Sequence, residues 1–201
     1  MICTPTLTTV QMLEKILPRL LGRSGGPVIT DVASVKGNLR TAAIAVAGAM
    51  PPQLVLGHPI AGSQYSGVNA SKADLFVDHR VILTPDAAND PAAVELVRAM
   101  WPSAGAAVVD MTVEQHDAVL ASTSHLPHVL AYTLVDALAS ADNSEDVFRC
   151  AAGGFRDFTR IASSDPIMWR DIAIANKSAL LNSIDLFSDH LARLREAVQD
   201  E

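Results

Sequence analysis

Short apolar runs and helical patterns alternate through the first half of the chain. Ile2–Thr4 predicts the remnant of a strand that ends at Pro5. Val10, Leu13, Ile16, Leu17 and Leu20 then recur at helical spacing. Gly22-Arg-Ser-Gly-Gly-Pro27 is a turn cluster. Val28–Val32 predicts a buried strand, Leu39–Met50 a helix, and Leu54–Gly57 a short strand that stops at His58-Pro59. Arg80–Thr84 predicts a strand, Pro91–Met100 a helix and Ala106–Met111 another strand. This alternation predicts a mostly parallel sheet with helices on both faces.

The second half carries helical patterns only. Glu114–Ala139 predicts one helix with Pro127 inside it, and Glu145–Ala162 a second with Gly153-Gly154 inside it. Asp165-Pro166 reads as the N-cap and first position of a third helix. That helix runs into Leu180, Ile184, Phe187, Leu191, Leu194 and Val198, a narrow apolar seam about 27 Å long at 1.5 Å per residue. Packing inside the domain and a dimer contact both account for such a seam. The pattern changes near Met111-Thr112. The expected fold class is therefore α/β followed by all-α, with domains at 1–111 and 112–201.

Composition narrows the function. The 201 residues are 49% hydrophobic and 18% charged, enough for a packed core and unlike a disordered chain. A net charge of −7 argues against a broad nucleic-acid surface. Two cysteines, Cys3 and Cys150, make neither a disulfide framework nor a four-cysteine zinc site. No segment has the roughly 18 uninterrupted apolar residues of a membrane span, and the first residues do not read as a signal peptide. The expected location is cytoplasmic, with no membrane partner.

Three polar clusters follow predicted strands: Thr4-Pro5, Ser34-Val-Lys36 and His58-Pro-Ile-Ala-Gly-Ser63. Ligands of open α/β sheets bind outside the carboxyl ends of strands, so the clusters point to one crevice. His58 is a candidate acid–base group, with Ser34 a candidate partner. His116, His125 and His128 do not share a face of one straight helix, and no His-Glu-x-x-His is present, so no metal site is expected. Arg149, Arg156, Arg160 and Arg170 interleave with Asp146, Asp157, Asp165 and Asp171, which suggests local ion pairs. Gly153-Gly154 beside Arg156 suggests the close approach of another group, and an arginine there could clamp a carboxylate. No glycine-rich dinucleotide fingerprint occurs.

Taken together, several segments resemble the prephenate/arogenate dehydrogenase family. They are Val28-Ile-Thr-Asp-Val-Ala-Ser-Val-Lys-Gly37, Gly57-His-Pro-Ile-Ala-Gly-Ser63, Val81-Ile-Leu-Thr-Pro85, Glu114-Gln-His-Asp117, Ser124-His-Leu-Pro-His128, Ala152-Gly-Gly-Phe-Arg-Asp-Phe-Thr-Arg160 and Asp165-Pro-Ile-Met-Trp169. The resemblance implies a partial Rossmann-type parallel sheet followed by a helical dimerisation domain. It implies oxidative decarboxylation of prephenate or arogenate with NAD or NADP, in tyrosine biosynthesis, by a homodimer. By resemblance His58 accepts the proton of the ring hydroxyl, and Ser34 places that hydroxyl and the histidine near the nicotinamide. Arg160 binds a substrate carboxylate. His128, Trp169, Ser63 and His116 match pocket residues, and Arg156 matches a basic residue near the entrance. Thr4 and Pro5 lie beside the cofactor. Gln64 stands where many relatives have Glu, so a gating ion pair there is not expected. Met1-Ile-Cys-Thr-Pro matches a later strand of the family's sheet, so about two βαβ units, including the glycine fingerprint, are expected to be missing from this chain. Two functional readings follow: a dehydrogenase, or a non-catalytic chain that dimerises and binds a carboxylate.

Overall fold

The computed structural model describes residues 1–20, 26–62 and 67–200. Ile2 bridges Asp31 in parallel, and α1 (Thr6–Leu20) connects it to β1 (Ile29–Thr30). From there α2 (Gly37–Ala47) leads to β2 (Leu54–Ile60), which pairs in parallel with β1. β3 (Arg80–Thr84) lies antiparallel to β2, and α3 (Pro91–Met100) carries the chain to β4 (Ala107–Asp110), parallel to β3. The sheet order is β1-β2-β3-β4.

The sheet is mostly parallel, as expected, with one antiparallel pair, β2–β3. Among the described residues of 61–79 there is only one short 3₁₀ turn, Val68–Ala70. Without a crossover helix the chain returns as a wide hairpin, with Ile60 opposite Arg80. β2 also runs beyond its expected end and includes His58 and Pro59. Proline is tolerated there because β1 pairs only with Leu54 and Val55, so β2 is an open edge by Pro59.

Alternation along β2 divides the core. Leu54 and Leu56 pack with Leu13, Leu17, Leu39 and Ala43 of α1 and α2. Val55 packs on the other face with Val81, Leu83, Ala93, Val97 and Trp101, beneath α3. The period of two places His58 on the Leu54–Leu56 side, where the helical half covers the sheet.

That half begins with α4 (Val113–Leu120), started by a reciprocal capping box between Thr112 and Gln115. The long helix expected over 114–139 is divided. A π-helical turn, Ala121–His125, separates α4 from α5 (Leu126–Ala139), with Pro127 in the first turn of α5. The stretch 145–162 is divided into α6 (Ser144–Arg149), α7 (Gly153–Thr159) and a 3₁₀ turn, Arg160–Ser163. Gly153 and Gly154 open α7 instead of lying inside a helix, and a Cβ on either would meet nothing within 4 Å. No other group among the described residues approaches these glycines. Asp165 caps α8 (Pro166–Ala175) by accepting from Ile167 N, as expected. Asn176 then separates α8 from α9 (Lys177–Gln199). Leu180 is buried, but Phe187, Leu191, Leu194 and Val198 are exposed, so the outer part of the seam has no cover within the chain. Among the described residues no helix is long and apolar enough to cross a membrane.

Candidate functional site

The carboxyl end of β2 and the turn after β1 meet the helical half at a cavity of about 710 Å³. Ser34, His58, His125, His128, Arg160 and Trp169 are among its lining residues. Sequence elements more than a hundred residues apart thus converge on one pocket.

His58 sits at the head of a hydrogen-bonded chain. His116, fully buried on α4, has its Nε2 2.9 Å from His58 Nδ1. The other His116 nitrogen, Nδ1, donates to Asp117 Oδ1 at 2.8 Å. The geometry fits the tautomer in which His116 Nδ1–H donates to the Asp117 carboxylate and Nε2 carries a lone pair. His58 then donates from Nδ1, and the lone pair of His58 Nε2 has no partner among the described residues. Burial, followed by the nearby Lys36, His116 and His125, holds His58 well below the usual histidine pKa. The ring is therefore neutral at physiological pH and able to accept a proton.

Asp117 anchors this chain. Its carboxylate accepts from Lys36 N at 2.9 Å and Gly37 N at 2.8 Å, at the start of α2. An anion is favourable at a helix N-terminus. Burial opposes ionisation, but bonds from His116 and from the Lys36 and Gly37 amides bring Asp117 below its ordinary pKa. Gly37 is required by the close approach: a Cβ there would lie 2.7 Å from Asp117 Oδ2.

A second histidine has the opposite polarity. Asn176 Nδ2 donates to Asp117 O at 2.8 Å and lies 3.1 Å from His125 Nδ1. His125 Nδ1 therefore accepts, and its proton is on Nε2, a buried atom without a partner among the described residues. Burial is the main cause lowering the His125 pKa to about 4. His128 donates from Nδ1 to Ser124 O at 2.9 Å and stacks on Trp169, with ring centroids 3.5 Å apart. Trp169 Nε1 is a second buried donor without a described partner. Arg160 lines the cavity and is in no ion pair among the described residues, whereas Arg149 pairs with Asp146 and Arg170 with Asp171.

Not every expected residue reaches the pocket. His116 acts on it only through His58. Arg156 lies on α7, one turn before Arg160, and does not line the cavity. Thr4 turns toward α1, where its Oγ1 is 2.9 Å from Thr9 Oγ1, and neither Thr4 nor Pro5 lines the cavity. Ser63 and Gln64 lie outside the described residues. His116, His125 and His128 take separate hydrogen-bond partners, and no metal-binding group of three or more acidic, His or Cys residues occurs among the described residues. The sequence patterns missed His125 and Asn176 as site residues; the break between α8 and α9 gives no periodic signal of Asn176's role.

The comparisons agree with this architecture. The model described as prephenate dehydrogenase, nucleotide-binding domain, matches residues 1–110. The model described as prephenate dehydrogenase, dimerization domain, matches residues 112–201. The chain belongs to the prephenate dehydrogenase family. It is 41% identical to the prephenate dehydrogenase of Bacillus subtilis over 203 residues, covering 100% of this chain and 53% of that protein. It is 42% identical over 150 residues to the cyclohexadienyl dehydrogenase of Zymomonas mobilis, covering 74% of this chain and 51% of the relative. The chain spans about half the length of these curated relatives. Prephenate dehydrogenase from A. aeolicus, solved with hydroxyphenyl propionate and NAD+, superposes with a TM-score of 0.88 at 39% identity, covering 98% of this chain and 68% of that one. Synechocystis arogenate dehydrogenase gives a TM-score of 0.82 at 30% identity, with 98% and 70% covered.

Proposed function

We propose that this chain carries the substrate pocket and catalytic histidine of a prephenate dehydrogenase, which oxidises and decarboxylates prephenate to 4-hydroxyphenylpyruvate. The observation that carries this reading is the Asp117–His116–His58 chain at a cavity that also contains Arg160, an arginine in no ion pair among the described residues. Arg160 holds a carboxylate of the substrate dianion. His58 Nε2 takes the proton of the ring hydroxyl, so the carbinol carbon becomes a stronger hydride donor. As carbon dioxide leaves and the ring becomes aromatic, the oxygen becomes a phenolate and recovers its proton from His58. Ser34 orients the hydroxyl beside His58, and the His128–Trp169 stack forms one wall.

A nicotinamide dinucleotide, NAD or NADP, supplies the hydride acceptor when bound. The residues present fit its nicotinamide end. Ser34 follows β1, His58 lies toward the carboxyl end of β2, which runs parallel to β1, and Thr4-Pro5 follows the Ile2 bridge on the other side of β1. We place the domain boundary at 111/112, immediately before the Thr112 capping box. The exposed apolar residues of α9 support a homodimer, and the enzyme is a cytoplasmic one. The second reading, an arogenate or cyclohexadienyl dehydrogenase, is favoured by the 42% identity to the Zymomonas mobilis enzyme.

Absorbance at 340 nm with prephenate or arogenate and either dinucleotide tests the proposal, with evolved carbon dioxide measured in parallel. Substrate-dependent reduction that is lost in His58→Asn supports it, and the preferred substrate separates the two readings. Turnover unaffected by His58→Asn contradicts it, as does a chain that binds neither prephenate nor arogenate in calorimetry.

A further inference from the structure

Lys36 is fully buried and does not line the cavity, so it is not a ligand for the substrate. It is paired with Asp31, also fully buried. The two side chains hold the same residue from both sides. Gly57 N–H donates to Asp31 Oδ1 at 3.1 Å, and Lys36 Nζ donates to Gly57 O at 2.6 Å. The second Asp31 oxygen also accepts from Ala33 N at 2.9 Å. Gly57 immediately precedes His58, and Ala33 immediately precedes Ser34.

This arrangement solves a problem of topology. β1 pairs with β2 only through Leu54 and Val55, and then leaves the sheet. Its departure carries Ser34 to the cavity but removes the ladder partners that Gly57 would have had on that side. The ion pair replaces them. A Cβ on Gly57 would lie 3.0 Å from Leu83 Cδ2 and 3.4 Å from Asp31 O, so the fit around that backbone is close.

We propose that the buried Asp31–Lys36 pair is a positioning device that clamps the backbone before Ser34 and His58 and holds the Lys36 ammonium at the Gly57 carbonyl, next to His58. The groups around His58 define its electrostatic setting. His116 and Asp117 face it from α4, His125 from the π-helical turn, and Lys36 from behind the strand; His79, His128 and Arg160 share the cavity. Lys36 is the cation among the groups that depress protonation of His58, second only to burial. The clamp thus does two things: it fixes the direction of the base and keeps it unprotonated. This inference rests on His58 being the base, but its test does not require turnover.

The test is an NMR titration of the His58 ring in the 201-residue chain and in Lys36→Met. The expected result is a His58 midpoint shifted upward toward the ordinary histidine value, with faster exchange of the Gly57 amide proton. A folded variant with an unchanged His58 midpoint overturns the proposal, even if His58→Asn abolishes catalysis. If Lys36→Met does not fold, the unmodified chain is titrated to alkaline pH. A shared transition of Lys36 Nζ and the Gly57 amide supports the clamp, and a Gly57 amide that stays constant while Lys36 loses its proton overturns it.

Discussion

Lowering the pH should destabilise this protein through His125, and the size of the effect can be worked out. The unfolded ring titrates near 6.5, but burial holds the folded ring at about 4. Above 6.5 neither state binds the proton, and stability is complete. Between 6.5 and about 4 the unfolded chain gains a proton that the folded chain refuses, so stability falls as pH falls. Between pH 7 and pH 5 this one group removes about 2 kcal/mol, at 1.36 kcal/mol per pH unit over the part of the window crossed. His58 and His128 shift in the same direction, so the total slope is steeper. His125→Asn isolates one share of it, because the amide oxygen still offers Asn176 an acceptor near the place of Nδ1. Urea unfolding of both proteins at pH 7, 6 and 5 gives the comparison. The variant should be the less stable at pH 7, and the gap should shrink by about 2 kcal/mol at pH 5. A gap independent of pH would refute the assignment of His125 as a buried neutral ring.

The remaining predictions concern catalysis and assembly. His58→Asn should lower kcat by about 10²–10⁴-fold while moving KM far less, because the proton acceptor matters most in the transition state; steady-state kinetics at 340 nm measures both. Arg160→Ala should raise KM about 30-fold, the equivalent of about 2 kcal/mol for a lost charge-assisted contact, with a smaller change in kcat. Gly37→Ala should displace Asp117 from the start of α2, since the new Cβ would lie 2.7 Å from Asp117 Oδ2. The expected readouts are a lower Tm and a changed His116 ring signal by NMR. Leu191→Glu, on the exposed apolar face of α9, should convert a dimer to a monomer in analytical ultracentrifugation while leaving the helix content unchanged.

Much of the fold was legible because the first half alternates short apolar runs with helical patterns and the second carries helical patterns alone. Arg80–Thr84 and Pro91–Met100 match β3 and α3 at both ends. The Asp165-Pro166 cap is where local chemistry puts it. The failures have physical causes. Alternating strands and helices predict the mostly parallel sheet, but they do not say which pair is antiparallel; the connection between β2 and β3 decides that. Periodicity also continues through a π-helical turn, which hid the break between α4 and α5. In the site, His58, Ser34, Arg160, His128 and Trp169 were recognised by motif, and all five line one cavity. The supporting residues were less visible. Asp117 does its work from α4 by capping α2, and Asn176 does so from a helix junction, so neither relation has a sequence spacing that reveals it. Thr4, expected beside the cofactor, shares a hydrogen bond with Thr9 of α1.

The central claim is that His58 presents an unprotonated Nε2 to the pocket because Asp117 and His116 fix its tautomer. Long-range ¹H–¹⁵N correlation of the histidine rings in the 201-residue chain at pH 7 tests it directly. The account predicts a neutral His58 ring, protonated at Nδ1 and bare at Nε2. An imidazolium at His58, or a proton on His58 Nε2, would contradict it.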